Sequence, residues 1–571
     1  MARLDYFAPG VYVEEVDRGS RPIEGVSTSV AGFIGFTEDV RGGAELFKPM
    51  LVTSWTQYLD YFARRNSNGF TEFDAYLPFS VRGYFLNGGG RCWVTSIGTQ
   101  LPGIGQNNAN RQAPLLEIPR RGNRPSLNLS IRPEHFDNGP ITIEIQDGQP
   151  RIPPARDSNE ASDQPEDQSQ AENRVETPHN PKELFSVKVY RDDRVLEEYN
   201  HLSMDPNPQT QVATYVVEAL KDSEYISIGD IAQPGLPLSR RPLNGEYELL
   251  PPVPNSTPEK FAREVEGDRS ERTGVLGIFE IDEITMICFP DLMRAYEAQI
   301  LSLDQVHGVM ETMVSMSEGS TSGDMPGPTN RMVVLDPPPD RVKPQDVVDW
   351  LDEFGRRSMF GALYYPWVKV PNPRNAGRSI LVPPSGHMMG VWGRTDESRG
   401  VYKAPANEVP RGITGLAYDV NFREQELLNP LGINCIRKFP NRGIRIWGAR
   451  TLVEPDKTEW RYISVRRLIS YIERSIEAGT QWAVFEPNDE ELWTQVKYTV
   501  SNFLERIWRE GALFGATPSQ AFYVKCDAEN NTPETMTLGR LYIDVGVCPV
   551  RPAEFVVFRI SQWNALETEQ N

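Results

Sequence analysis

The sequence predicts a multidomain α/β protein, built as an α/β core with a mostly parallel sheet, an α+β C-terminal domain, a β-rich inserted outer domain and terminal strand arms. Three observations carry that expectation. The chain has 571 residues, more than one hydrophobic core serves. Short apolar runs alternate with amphipathic stretches over 28–97 and again after 274, the rhythm of a sheet covered by helices. Between them, 101–265 turns rich in Pro and Asn and carries alternating runs that suit exposed β-structure.

The first element is "FAPGVYVEEV" (7–16), a strand in which Pro9 and Gly10 are turn punctuation and "DRGSRP" (17–22) closes the run. The strand "VAGFIGF" (30–36), the helix "SWTQYLDYF" (54–62), a helix around Leu77, Val81, Tyr84 and Phe85, and the strand "RCWVTSI" (91–97) follow. Within the insertion, "PITIEIQDG" (140–148) and "LFSVKVY" (184–190) alternate as strands do. Residues 155–180 are acidic and almost without large apolar side chains, so burial cannot offset the entropy of ordering them and a flexible loop is expected. Strand-like runs resume at 274–291, 331–340 and 360–370, separated by helical candidates at 291–316 and 344–356. The C-terminal part offers helices at 462–477 and 488–510, the second with Asn488 as N-cap and Glu491 completing a capping box. Three strands close the chain: "AFYVKCD" (521–527), "RLYIDVGVCPV" (540–550) and "EFVVFRI" (554–560).

That last strand puts Val556, Phe558 and Ile560 on one face and Phe555, Val557 and Arg559 on the other. A terminal strand apolar on both sides needs a sheet to join, because an open edge recruits other chains. The first and last strands either pair within one chain or reach other chains. The domain boundaries expected are an N-terminal arm at 1–22, core at 23–100 and 266–440, insertion at 101–265, C-terminal domain at 441–552 and C-terminal arm at 553–571.

Composition narrows the function. With 59 Lys+Arg against 79 Asp+Glu, the net charge of −20 disfavours nucleic acid as a partner. No apolar run approaches the roughly 18 residues of a membrane span, and "MARLDYFAPGVYVEE" has charges where a signal peptide is apolar, so synthesis and assembly in the cytoplasm are expected. Cys92, Cys288, Cys435, Cys526 and Cys548 lie far apart, without a C-x-x-C, and are expected to be plain thiols. Catalysis has thin support. Asp291 and Asp336 end strand-like runs where α/β sheets place ligands, and "PPSGHMMG" (383–390) holds Ser385 and His387, but no nucleophile elbow surrounds that serine. A polar loop, no cofactor and no metal are expected there. Neither a P-loop nor a post-strand G-x-G-x-x-G occurs, so mechanical work would not draw on an ATPase of this chain.

Four stretches carry a resemblance: 7–38, "GINCIRKFPNRGIRIWGARTL" (432–452), "EWRYISVRRLISYIERSIEAGTQWAVFEPNDEELW" (459–493) and "FLERIWREGALFGATPSQAFYVKCD" (503–527). They resemble contractile tail sheath proteins of phages and phage-like injection systems. The resemblance implies a structural subunit that forms stacked rings or a helical sheath around an inner tube protein, between baseplate and terminal cap proteins, with no membrane insertion. It implies that the terminal arms add strands to neighbouring subunits. Those arms would be Val11, Tyr12, Val13 and Glu14 at one end and Phe555, Val556, Val557, Phe558 and Arg559 at the other. Bends are expected in the linkers beside them, 17–22 with Gly19 as the flexible point and 548–554 where Pro549 and Pro552 limit the motion. The helix 488–510, through Asn488, Trp493, Lys497 and Arg506, is expected to face the tube. The rival classes are an α/β hydrolase, which should show a convergent site, and a static shell or tube protein, which would lack the 459–493 signature.

Overall fold

The structure is a computed structural model that describes residues 22–104, 114–122, 124–136, 139–148, 181–191, 194–208, 213–231, 236–252, 255–319, 329–375 and 377–559. Val11–Glu14, Gly19 and the acidic loop 155–180 lie outside the described residues.

The largest sheet has eight strands: β1 (Ala31–Gly35), β2 (Pro49–Val52), β3 (Cys92–Ser96), β4 (Met286–Cys288), β5 (Met332–Leu335), β6 (Gly361–Tyr365), β7 (Ile433–Phe439) and β8 (Gly443–Ile446). Their spatial order is β2-β3-β1-β4-β5-β6-β7-β8. The pairs from β3 through to β7 are parallel, and β2 and β8 are antiparallel edges. Every residue of β1, β5 and β6 is buried, as expected for strands covered on both faces. The cover comes from α1 (Trp55–Phe62), α2 (Tyr76–Leu86), α3 (Asp291–Glu297), α4 (Leu303–Glu318), α5 (Pro344–Phe354) and α6 (Ser385–Arg399). Ser54 caps α1 through Gln57 N, and Ser302 with Gln305 forms a capping box on α4.

Glycines set the closest helix contact. A Cβ on Gly83 of α2 would lie 2.5 Å from His387, and one on Gly386 of α6 would lie 2.5 Å from Ser80. The two backbones therefore touch only because these positions lack side chains.

A second apolar cluster, with Leu129, Ile143, Val187 and Leu249, holds a five-stranded and a three-stranded sheet built between Leu116 and Leu249. Helix Pro258–Glu266, at the end of this stretch, places Phe261 and Val265 in the first cluster. A third cluster gathers α7 (Ile463–Thr480), α8 (Glu490–Arg509) and the antiparallel hairpin Phe522–Lys525 with Asp544–Val547.

Several expected elements take another form. Of 274–291, Gly274–Ile278 is a helical turn and only Met286–Cys288 is strand. A short apolar run does not distinguish the two, and Val275 and Ile278 are buried at helical spacing. The helix expected over 291–316 is two, because Gln299 takes φ 57 and Ser302 starts a new cap. The run 360–370 is split at Pro366: Val368–Pro371 leaves the main sheet to pair with Ser379–Val382 and Gly415–Leu416. The polar loop expected at 383–390 is the buried first half of α6.

Candidate functional site: the C-terminal arm and its tether

The chain after the last hairpin is stitched to the body and then let go. Cys548 N donates to Ala521 O at 2.8 Å, Phe514 N to Cys548 O at 2.8 Å and Val550 N to Ala512 O at 3.0 Å. Pro549, opposite Leu513, is thus part of a pinned segment and not of a loose linker. The freedom expected of 548–554 narrows to Arg551, Pro552 and Ala553.

Glu554 ends that freedom. Its carboxylate accepts from Arg450 Nη2 at 2.6 Å, Arg450 Nε at 2.9 Å, Asn429 Nδ2 at 2.7 Å and Tyr462 Oη at 3.1 Å. Arg450 is itself fixed, its backbone N donating to Asn434 Oδ1 at 2.7 Å and its Nη1 to Asn429 O at 3.1 Å. Burial pushes the Glu554 carboxyl up, but the donated hydrogen bonds and the Arg450 charge outweigh it and hold the group below its ordinary value. A bidentate, half-buried pair of this kind is a fixed geometric stop.

Beyond the stop, Phe555, Val556, Val557 and Phe558 are 72%, 71%, 78% and 82% exposed and join no strand. Burial of such side chains stabilises by roughly 1.5–3 kcal/mol each, and none of that is realised within the described residues of one chain. The arrangement is a rigid clip followed by an apolar ribbon that lacks cover.

On α8 the cap is Asp489, whose Oδ1 accepts from Leu492 N at 2.9 Å; the expected cap Asn488 sits one residue too early. Asn488 instead accepts from Trp493 Nε1 at 2.8 Å and donates to Arg540 O at 3.0 Å. Trp493 is buried, so its indole is turned away from any surface. Arg506 donates to Ile23 O at 2.7 Å and lies over Phe503. Lys497 and Tyr498 are exposed, as are Thr494, Gln495, Asn502 and Arg506.

The carboxylates considered for catalysis act as struts. Buried Asp291 accepts from Tyr76 N at 2.5 Å, Phe36 N at 2.8 Å and Leu77 N at 3.1 Å, joining β1, α2 and α3. Asp336 accepts from Ser385 Oγ at 2.5 Å and Ser385 N at 3.0 Å, fixing the start of α6. Burial raises both carboxyls to about 7 against the pull of those donors. The serine hydroxyl is therefore committed to Asp336, and His387 Nδ1 has no partner among the described residues. Ser385→Ala would remove the hydroxyl donor of this buried carboxyl, so its effect is expected on stability.

His387 gives a pH test. Burial lowers its pKa to about 4, so between pH 4 and the unfolded value the unfolded chain binds more protons and the histidine's contribution to stability falls as pH falls. Asp291 and Asp336, raised in the folded state, work in the opposite sense and lose stability as pH rises towards 7. Relative to the unmodified chain, His387→Gln should gain up to about 3 kcal/mol at pH 4 over pH 7, read from denaturant midpoints across that window. A difference that does not change with pH would mean that the fold leaves the histidine's pKa unshifted.

The comparisons bear on these features directly. The family description "Phage tail sheath protein central domain" matches residues 330–452 and "Phage tail sheath C-terminal domain" matches 456–562, a span that includes Arg450, Tyr462, Glu554 and the exposed arm. Over these two stretches the chain matches the phage tail sheath family. Over 226 residues the chain is 28% identical to a putative prophage major tail sheath protein of Pseudomonas aeruginosa, covering 38% of this chain and 55% of that one. It is also 28% identical over 209 residues to the tail sheath protein of Salmonella phage ViI, covering 36% of this chain and 32% of that one. The alignments thus span about half or less of these relatives' own length. The fold is similar to the helical sheath of the anti-feeding prophage in its contracted state, with a TM-score of 0.52 and 22% identity over 98% of this chain and 100% of the other.

The residues of the clip that sequence reading missed are Arg450, Asn429 and Tyr462. Only the acid at the head of the apolar run, Glu554, was a usable signal.

Proposed function

We propose that the chain is the sheath subunit of a phage tail or phage-like injection system, polymerising around an inner tube and contracting from a metastable extended state to drive the tube through a target envelope. The observation that carries this reading is the clipped, exposed ribbon that starts at Phe555. A strand of main-chain donors and acceptors with apolar side chains on both faces is suited to joining a sheet on a neighbouring copy. The N-terminal strand around Val11–Glu14 would join the same intermolecular sheet, with Gly19 as its hinge. Because Val550 and Glu554 are both fixed to the body, the bend at this end falls just beyond Glu554, where the arm begins, and the arm keeps neighbours connected while their bodies rotate. The work of contraction is stored in contacts between subunits at assembly. Lys497 and Tyr498, on the exposed face of α8, are offered to the tube, and a baseplate would start the polymer.

Negative-stain microscopy of the purified full chain tests the reading: tubes or rings are expected, and a monomer at every concentration overturns it. Residues 155–180 belong, on this reading, to an outward loop with no essential neighbour. Their deletion should leave tube yield within about twofold of the unmodified chain. Loss of tubes would place that loop in an interface.

A further inference from the structure

We propose that the loop 484–491 of one copy docks on the basic hairpin 436–447 of a second copy, an acidic apolar knob meeting a cationic aromatic face. The inference rests on the polymer reading above and adds a contact distinct from the arm.

The knob is Phe485. Its ring is 103% exposed among the described residues, beside Val484 at 62%. Its backbone has φ 67, a left-handed conformation that a bulky side chain adopts only when its surroundings hold it. The hold is visible: Val484 N donates to Gln481 O at 3.2 Å and Glu486 N to Ala483 O at 3.3 Å. Single exposed apolar residues are ordinary, but one presented on a strained, hydrogen-bonded turn is a candidate anchor. Glu486, Asp489 and Glu490 surround it at the surface, and no salt bridge among the described residues uses them.

The complementary face lies in a long stretch of the core without acids. Residues 427–453 contain Arg437, Lys438, Arg442, Arg445 and Arg450 and neither Asp nor Glu, in a chain whose net charge is −20. Arg450 is taken by Glu554. The other four have no carboxylate partner among the described residues: Arg442 and Arg445 donate to Asn407, Arg437 donates to Gln425 and Val420 O, and Lys438 is exposed. The hairpin also carries aromatic surface. Phe439 and Trp447 lie 4.6 Å apart between ring centroids, with Arg437 at 5.2 Å from the Phe439 ring and Arg442 at 5.6 Å from the Trp447 ring. Copies of so acidic a chain repel one another, and a cationic, aromatic patch is where an acidic loop with a phenyl knob gains most. Because loop and hairpin are different surfaces, the contact is head-to-tail and propagates, as a polymer requires.

Charge exchange in the full chain tests this. Lys438→Glu and Glu486→Lys should each raise the concentration needed for sedimentable assembly by roughly tenfold or more, and the two together should restore most of it. Phe485→Gly should also weaken assembly while the thermal midpoint holds or rises, since glycine relieves the φ; a purely structural Phe485 would lower the midpoint instead. Single reversals that assemble like the unmodified chain, or a double reversal no better than the singles, would overturn the proposal and assign the loop to another protein or to residues 1–21 of its own chain. Truncation after Glu554 run alongside separates the readings. If truncation blocks assembly and the reversals do not, only the docking is wrong; if the truncated chain assembles as well, the arm reading fails.

Discussion

Truncation after Glu554 leaves a folded chain that no longer assembles. The cut point matters. Removing Glu554 as well would leave Arg450, with only 9% of its side chain exposed, beside Asn429 without its counter-ion, and would cost about 3 kcal/mol of fold stability for reasons unrelated to assembly. Cutting one residue later keeps the clip and removes only what is exposed. Phe555–Phe558 make no strand contact in the body, so the thermal midpoint should stay within about 2 °C of the full chain's. Assembly should suffer far more. A strand of this length brings on the order of six backbone hydrogen bonds at about 0.5–1.5 kcal/mol each, together with several buried apolar side chains. Even after ordering entropy is subtracted, each subunit contact loses several kcal/mol, enough to move the assembly threshold beyond any practical concentration. Sedimentation and negative stain of the two chains at matched concentration give the readout. Tubes from the truncated chain would show that the arm does not hold the polymer.

How much of this was visible in the sequence depends on what each segment's neighbours are. The central strands were legible because each is covered on both faces and so reads as an unbroken apolar run, as in "AGFIG" of β1 and "GALYY" of β6. The edge strand Pro49–Val52 was not, since four residues with a proline and no alternation carry no periodic signal. The start of α6 was misread for a definite reason. "PPSGHMMG" has the composition of a loop, yet Gly386 and Gly390 are small because α2 lies against them: a Cβ on Gly390 would come within 2.5 Å of Tyr84 O. Glycine that permits close helix packing and glycine that permits a turn look the same in one sequence. The exposed arm was legible as an apolar run without a local partner. Its clip was not, because Arg450 and Glu554 meet only through the tertiary fold, and pairing across such a distance leaves no local pattern.

Arg467→Ala should cost about 3–5 kcal/mol, the largest single loss of stability among the positions considered. Arg467 on α7 donates to Asp396 Oδ1 at 2.9 Å from Nη1 and to Asp396 Oδ2 at 2.5 Å from Nη2, and the two side chains are 5% and 6% exposed. The same guanidinium donates to Thr28 O at 2.9 Å and lies 4.9 Å from the Trp392 ring, while Thr28 Oγ1 adds a 2.7 Å bond to Asp396. One side chain thereby ties α7 of the C-terminal unit to α6 and to the segment that leads into β1. Alanine removes the cation and leaves a buried carboxylate with a single hydroxyl donor, and that stranded charge is the main source of the loss. Arg467→Lys keeps the charge but not the fork, so an intermediate loss is expected. Removing both charges, with Arg467→Met and Asp396→Asn together, should recover part of the stability lost by Arg467→Ala, because no unpaired ion remains. Denaturant unfolding of the four chains gives the comparison. On the sheath reading the same tie makes the C-terminal unit and the α/β body move as one piece when the arm is pulled. Arg467→Lys, which still folds, should therefore assemble but contract less completely under a mild denaturant trigger than the unmodified chain. Equal stability of the alanine variant would mean that Asp396 is solvated or neutral in the fold, and the rigid coupling assigned to this pair would have to be carried elsewhere.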